Sequence, residues 1–203
     1  MKTQHNISMK EVTTVLVATL LLSIAACSCS QKDSSNQKDK VQESQTNVKP
    51  PDMDIFTASL FGDLKTINQH IKAGTDLNAK DAYGSTPLII AATFGKTEVA
   101  KALIDAGADV NITNNDGGTA LHSAAFLCRT KIVEALLNSG IDTSIRNNFG
   151  STALESVLAP FSAVRSIYEQ FSRDLGPLGL KLDYEQIEKT RPVIAKMIQN
   201  SES

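Results

Sequence analysis

Cysteine and histidine are the residues of this chain that could carry nucleophilic or metal chemistry, and the 203 residues include three of each. They are Cys27, Cys29 and Cys128, and His5, His70 and His122. None of them lies in an HExxH or CxxC motif, and the chain has neither a GxSxG elbow nor a glycine-rich phosphate loop. We therefore predict no catalytic residue, no bound metal and no cofactor, and an enzyme is the least favoured class of function.

Cys27 is preceded by a segment that gives its thiol a different kind of chemistry. A run of 15 mostly apolar residues, VTTVLVATLLLSIAA (12–26), leads directly to it. The run is too short to cross a bilayer, which takes about 20 apolar residues, but it has the length of a signal-peptide core. Its end, IAAC (24–27), resembles the cleavage box of bacterial lipoproteins.

This resemblance implies that residues 1–26 are a lipoprotein signal peptide and that the Cys27 thiol takes up a diacylglycerol. The protein is then exported and held at a membrane of the cell envelope through the lipid anchor at Cys27. Ser28, in place of an aspartate, favours the periplasmic face of the outer membrane by the sorting rule of enteric bacteria. The alternative is an ordinary secretory peptide that happens to contain a cysteine.

The segment that follows the anchor is polar. Residues 28–50, SCSQKDSSNQKDKVQESQTNVKP, contain too few apolar side chains to offset the entropy of ordering by burial. The sequence therefore predicts a disordered tether over residues 27–50. Cys29 lies in this tether, where nothing positions it to pair with Cys128, so two free thiols are favoured over a disulfide between them.

The charge of the remaining part argues against one class of partner. Residues 1–50 carry a formal charge of +2, so the total of −2 leaves −4 for residues 51–203. Binding to nucleic acid requires a basic surface that displaces counterions from phosphate. A mildly acidic folded part therefore indicates no nucleic-acid partner.

The sequence of the folded part repeats every 33 residues. DAYGSTPLIIAATFGK begins at Asp81, NNDGGTALHSAAFLCR at Asn114, and NNFGSTALESVLAPF at Asn147. In each copy a turn sequence precedes a threonine that can cap a helix, and Pro87 follows Thr86 at the first helical position. A second helix is predicted over residues 96–106, with Gly107 at its end.

GSTPLIIAATFGKTEVAKALIDAGADVN (84–111) is similar, almost position for position, to an ankyrin repeat. The resemblance covers residues 55–154 and implies an all-α ankyrin-repeat solenoid, in which helix pairs joined by β-turn loops stack over residues 51–203. The expected repeats are 51–80, 81–113, 114–146 and 147–176, followed by a degenerate C-terminal cap at 177–203. PFSAVRSIYEQFSRDLG (160–176) is then the second helix of the fourth repeat, and Pro192 separates the two helices of the cap.

Two residues of the third repeat could be taken for functional ones. His122 is expected to be the structural histidine of the family, bonded to a turn, rather than a ligand. Cys128 stands in the column of Gly62 and Gly95, which suggests a left-handed backbone strained by about 1 kcal/mol. On that basis, Cys128→Gly is expected to raise the melting temperature.

The resemblance also implies a surface that binds a partner. In ankyrin proteins the turn tips and the outward residues late in the first helix form a concave recognition face. The tips here are Ala82, Tyr83, Asn115, Asp116, Asn148 and Phe149, and the helix positions are Leu60, Phe61, Thr93, Phe94, Phe126 and Leu127. Tyr83 and Phe149 are expected to be exposed, whereas the phenylalanines of the helices are either exposed or packed between adjacent repeats.

These observations favour a non-enzymatic protein that binds another protein at the cell envelope. It would be monomeric and would act as an accessory, an inhibitor or an immunity protein. The alternative is a structural lipoprotein that scaffolds envelope components without one tight ligand. An enzyme is a distant third hypothesis.

Lipidation is tested at the cysteine itself. We expect Cys27→Ser to leave the chain uncleaved or to shift it to the soluble fraction, because serine offers no thiol for the diacylglycerol. The measurement is labelling with a radioactive fatty acid, with Cys29→Ser as the matched control. Labelling of Cys27→Ser at the level of the unmodified chain would contradict the assignment.

Overall fold

Short helices in antiparallel pairs make up the computed structural model, which describes residues 49–202. The first helices of the pairs are α1 (Ile55–Phe61), α3 (Pro87–Thr93), α5 (Ala120–Phe126) and α7 (Ala153–Leu158). Helices α2 (Leu64–Lys72), α4 (Thr97–Asp105) and α6 (Thr130–Asn138) follow the first three of them. The chain ends in α8 (Phe161–Leu175), a 3-10 turn (Gly176–Leu178) and α9 (Tyr184–Ser201). Residues 49–202 contain no strand, and the predicted all-α solenoid is confirmed.

The N-terminal predictions fall outside this part of the chain. The predicted signal peptide, the lipidation site Cys27 with Ser28 and Cys29, and the tether as far as residue 48 lie outside the described residues. None of the helices within residues 49–202 is both long and apolar enough to span a bilayer.

Threonine residues cap three of the four first helices, α3, α5 and α7, as predicted, whereas Asp54 caps α1. The Thr86 hydroxyl accepts a hydrogen bond from the Ile89 amide at 3.3 Å, and Pro87 occupies the first turn, where no amide donor is needed. In α7 the bond is reciprocal, because the Thr152 hydroxyl accepts from the Glu155 amide and the Glu155 carboxylate accepts from the Thr152 amide. The turn sequences therefore set where each helix pair starts.

The core is built from the same positions in every pair. Each second helix buries residues i, i+1 and i+4 against its neighbours, a spacing that puts all three on one face. In α2, α4 and α6 these are Thr66, Ile67 and His70, then Val99, Ala100 and Leu103, then Ile132, Val133 and Leu136. The first helices bury alanines, which allow neighbouring helices to approach closely: Ala58, Ala91, Ala92, Ala124 and Ala125 are all 0% exposed.

The fourth pair differs from the prediction. Helix α9 repeats the burial pattern with Ile194, Ala195 and Ile198, and it packs against α7 and α6. It is therefore the second helix of the fourth repeat, and the prediction that residues 160–176 fill that place is wrong. Ile194 lies 62 residues after Ile132 instead of 33, so 29 additional residues, including α8, are inserted between the two helices of this repeat.

The predicted break at Pro192 is also wrong. Helix α9 runs without interruption from Tyr184 to Ser201 with Pro192 inside it. Proline removes the amide that would bond to the carbonyl of Glu188. Both residues lie on the exposed side of the helix, where that carbonyl is not forced into the core. Asp183 caps the start of α9, since its carboxylate accepts from the Gln186 amide at 3.0 Å.

The turns are tied to one another by a ladder of hydrogen bonds. The Asn115 amide donates to the Tyr83 carbonyl at 3.0 Å, and one repeat later the Asn148 amide donates to the Asp116 carbonyl at 2.8 Å. This approach is close enough to require glycine, since a Cβ on Gly84 would lie 2.8 Å from the Asn115 nitrogen. Gly84 also has φ +71°, a left-handed conformation that glycine adopts without strain.

Cys128 is left-handed, as its position in the glycine column predicts. Its φ is +55°, the one positive value among the described non-glycine residues. Its Sγ packs under α9, 3.6 Å from the Ile187 carbonyl oxygen, and burial raises the pKa of the thiol to about 11. A substitution here therefore relieves strain but also removes a buried contact.

A pair of variants separates these two effects. Cys128→Gly and Cys128→Ala both remove the thiol, but only glycine relieves the left-handed strain. We expect Cys128→Gly to be more stable than Cys128→Ala by about 1 kcal/mol in chemical denaturation. Equal stability of the two variants would show that the backbone at this position carries no strain.

Candidate functional site: the first-helix face and the turn tips

The turn tips project from the stack in a fixed conformation. Tyr83 is 49% and Phe149 61% exposed, as predicted, and Asn115, Asp116 and Asn148 are exposed beside them. Each tip is held by an aspartate or asparagine two residues earlier: the Tyr83 amide donates to the Asp81 carboxylate at 2.8 Å and the Phe149 amide to the Asn147 side chain at 3.0 Å. The tips are therefore ordered before a partner arrives, which lowers the entropic cost of binding.

The side chains of Asn115 and Asn148 hold successive turn tips together. The side-chain amide of Asn115 donates to the Ala82 carbonyl at 3.2 Å, and that of Asn148 donates to the Asn115 carbonyl at 2.9 Å. Their exposed surfaces still face solvent. The aromatic tips and Asp116 carry the more distinctive chemistry for recognition.

The exposure of the side chain at the C-terminal end of the first helix decreases from the first repeat to the third. Phe61 is 65% exposed and Phe94 is half-buried, whereas Leu127, at the equivalent position of the third repeat, is 3% exposed. The expectation that Leu127 lies on the open face is wrong, because α8 covers it. Phe126 is half-buried and packs against α8, not between adjacent repeats.

Tyr168 is the residue that attaches α8 to this face. It is 0% exposed, and its ring stacks on Phe126 with a centroid separation of 4.4 Å and an interplanar angle of 7°. Its hydroxyl donates to the Phe126 carbonyl at 2.6 Å, and burial raises its pKa to about 12. Truncation of a buried aromatic side chain typically costs about 3–5 kcal/mol, so α8 is a fixed part of the site.

Arg191 is a residue of α9 and links this helix to α7 and α8 by hydrogen bonds. It is 3% exposed, and its Nη1 donates to the Tyr168 hydroxyl at 2.7 Å. Its Nη2 donates to the carbonyls of Ser156 and Ala159 at 3.0 and 2.7 Å. These carbonyls lie at the C-terminal end of α7, where the helix dipole favours a cation. A buried guanidinium is thus satisfied by a hydroxyl and two carbonyls.

Tyr168 and Arg191 are not among the site residues that the sequence predicts. One signal was available, since the inserted segment carries apolar or aromatic residues at i, i+3, i+7 and i+10: Phe161, Val164, Tyr168 and Phe171. This spacing predicts a helix with one buried face but does not say which surface that face covers.

Basic side chains border the face on the side opposite the tips. Lys96 lies over Gly62, where a Cβ would be 2.9 Å from its Cδ, and Arg129 lies over Gly95 in the same way. Arg129 donates from Nη2 to the Thr93 carbonyl at 3.3 Å, and burial lowers its pKa. On the first-helix face of the first two repeats, Phe61 and Phe94 therefore form an apolar floor. The polar turn tips border this floor on one side, and Lys96 and Arg129 form a basic edge on the other.

His122 is structural, as predicted. Its Nδ1 accepts from the Thr119 amide at 3.2 Å, which leaves Nε2 to donate to the Ser151 carbonyl of the next turn at 3.1 Å. Burial lowers the pKa of the imidazole, outweighing the Ser151 carbonyl, which raises it. Within residues 49–202, no three His, Cys, Asp or Glu side chains are grouped so that they could hold a metal ion.

Comparison with known families gives the class of the fold. Residues 55–147 match the family model described as Ankyrin repeats (3 copies). No curated protein matches the chain significantly. Residues 55–147 are thus ankyrin repeats, and ankyrin repeats are in general modules of protein–protein interaction.

The lowered pKa of His122 predicts an acid-sensitive fold. Below pH 6.5, the ordinary pKa of histidine, His122 gains a proton in the unfolded chain but resists it in the folded protein. The free energy of unfolding therefore decreases as the pH is lowered. Between pH 7.5 and 5.5 this group removes at most about 1.4 kcal/mol. We expect the difference in unfolding free energy between these pH values to shrink in His122→Gln, measured by urea denaturation. An unchanged difference would show that His122 does not resist protonation.

Proposed function

We propose that this protein is a non-enzymatic interaction module that binds another protein through the first-helix face and the turn tips of its ankyrin stack. The observation that carries the proposal is the exposure of large aromatic side chains at the turn tips and at the end of α1. Phe61, Tyr83 and Phe149 are 65%, 49% and 61% exposed, although aromatic side chains are usually among the most buried.

The surroundings of these rings suit a protein partner. A few aromatic anchors dominate the affinity of most protein interfaces, and a polar rim around them keeps water out of the centre. Here the polar tips with Asp116 lie on one side of the floor and Lys96 and Arg129 on the other. The backbone beneath is held by helices and by the ladder of turns, so little ordering is needed on binding.

The location of this activity is part of the proposal. The sequence IAAC (24–27) supports lipid anchoring at Cys27, and Ser28 supports the periplasmic face of the outer membrane. A flexible tether of 23 residues, 28–50, would reach about 25–30 Å from the anchor. The interaction module would then meet its partner close to the envelope, as an accessory, an inhibitor or an immunity protein.

The proposal is tested by replacing the aromatic anchors. A variant with alanine at Phe61, Tyr83, Phe94 and Phe149 removes the exposed rings but leaves Phe126, which holds α8. We expect the yield of the partner cross-linked in cells to fall at least about tenfold, since each anchor typically contributes more than 1 kcal/mol. The measurement is quantitative mass spectrometry of the cross-linked complexes.

A matched control uses exposed apolar residues elsewhere. Leu178→Ala with Val193→Ala changes two side chains that are 49% and 51% exposed and lie off the first-helix face. This control is expected to keep the partner. If the anchor variant keeps it as well, with an unchanged melting temperature, the face is not the binding surface. Association that instead weakens with salt and follows the tether would favour a scaffold.

A further inference from the structure

Helix α8 occupies one part of a surface that continues, open, into the first two repeats. Phe61, Phe94 and Leu127 stand at equivalent positions 33 residues apart. Leu127 is buried with Tyr168 in one apolar cluster, whereas Phe61 and Phe94 are not covered in this way. The structure therefore contains an established interface on this face and, next to it, the same face without an occupant.

The manner in which α8 binds shows what this face accepts. The helix lays a stripe of apolar side chains on the ends of α5, with Tyr168 stacked on Phe126 and Phe171 edge-on to the same ring at 5.9 Å. Phe161 lies against Tyr168 at 5.6 Å and extends the stripe by two turns. The first-helix face of the third repeat is thus covered by an amphipathic helix of the same chain.

The two flanks of α8 are unlike each other. One flank faces α9, since Arg165 lies 5.8 Å from the centre of the Tyr184 ring and Ser172 is 2.8 Å from its hydroxyl. Ile167 is two residues from Arg165, which places it about 160° away around the helix, given 3.6 residues per turn. It is 44% exposed. The flank that points away from α9 is therefore partly apolar and uncovered.

We propose that an amphipathic helix of a partner protein docks on the floor of the first two repeats alongside α8. The inference rests on the proposed function and names the kind of partner. Apolar or aromatic side chains at i, i+3 or i+4, and i+7 of that helix pack on Phe61 and Phe94, as Tyr168 packs on Phe126. The tips on one side and the basic edge on the other contact its polar flanks.

The backbone of the face excludes the main alternative mode of peptide binding. An extended peptide gains affinity by adding a strand to an open sheet edge. The amide and carbonyl groups under Phe61 and Phe94 belong to helices and to the turns between them, and residues 49–202 contain no strand. Side chains must therefore carry the contact, as they do where Tyr168 of α8 stacks on Phe126.

Helix α8 itself supplies the probe. A fluorescein-labelled peptide with its sequence, PFSAVRSIYEQFSRDLG (160–176), is titrated into residues 27–203 carrying Cys27→Ser, and binding is followed by fluorescence anisotropy. We expect a micromolar Kd that weakens at least about tenfold in Phe61→Ser with Phe94→Ser. Leu178→Ser with Val193→Ser is the matched protein control, and the peptide with Tyr168→Ala is the matched ligand control; the first should bind normally and the second weakly.

Three results would overturn the inference. The first is that the peptide does not bind. The second is that it binds the Phe61→Ser, Phe94→Ser variant as tightly as the original chain, which would mean that the peptide displaces α8 from the third repeat. The third is self-association of the chain, by sedimentation velocity, that disappears in the same variant, because the occupant would then be a second copy. None of these results would change the outcome of the cross-linking experiment with the alanine variant, which tests the proposed function. The proposed function and the helical partner can therefore be refuted separately.

Discussion

Burial between neighbours is the interaction on which this structure depends. A single pair of helices leaves most of its apolar residues uncovered, and only the next pair completes the core. The positions i, i+1 and i+4 of the second helices and the alanines of the first helices recur for this reason. Hydrogen bonds between successive turns fix the register, so that each pair is placed by the one before it and the exposed faces line up.

The same dependence explains the end of the stack. Within residues 49–202 the fourth repeat is the last, and its apolar residues are still buried. Helix α9 supplies a second helix with the regular burial pattern, and the 29 inserted residues include α8, which covers Phe126 and Leu127 of the third repeat. Arg191 connects these parts because its guanidinium donates hydrogen bonds to the Tyr168 hydroxyl and to carbonyls at the C-terminal end of α7. Breaking that connection would leave a buried cation without partners, which is more costly than a lost surface contact.

This arrangement divides the first-helix face into a closed and an open part. The open part keeps Phe61 and Phe94 beside ordered tips that carry Tyr83 and Phe149. A rigid floor with a few exposed rings and polar borders is suited to recognition by shape and apolar contact. The buried environments of His122, Cys128, Tyr168 and Arg191 are each accounted for by packing.

The sequence by itself determined the local features that repeat. Turn glycines, threonine caps and the spacing of apolar residues depend on local backbone geometry, and for this reason the helix pairs and the left-handed Cys128 could be predicted. The role of His122 was implied by the resemblance to ankyrin repeats. The place of α8 could not be predicted, because an apolar stripe at helical spacing says that one face is buried without saying against what. Only the tertiary structure decided that α9 completes the fourth repeat and that α8 covers Leu127. The reason is physical: the pairing of helices separated by an insertion is set by which surfaces remain to be buried once the rest of the stack has formed.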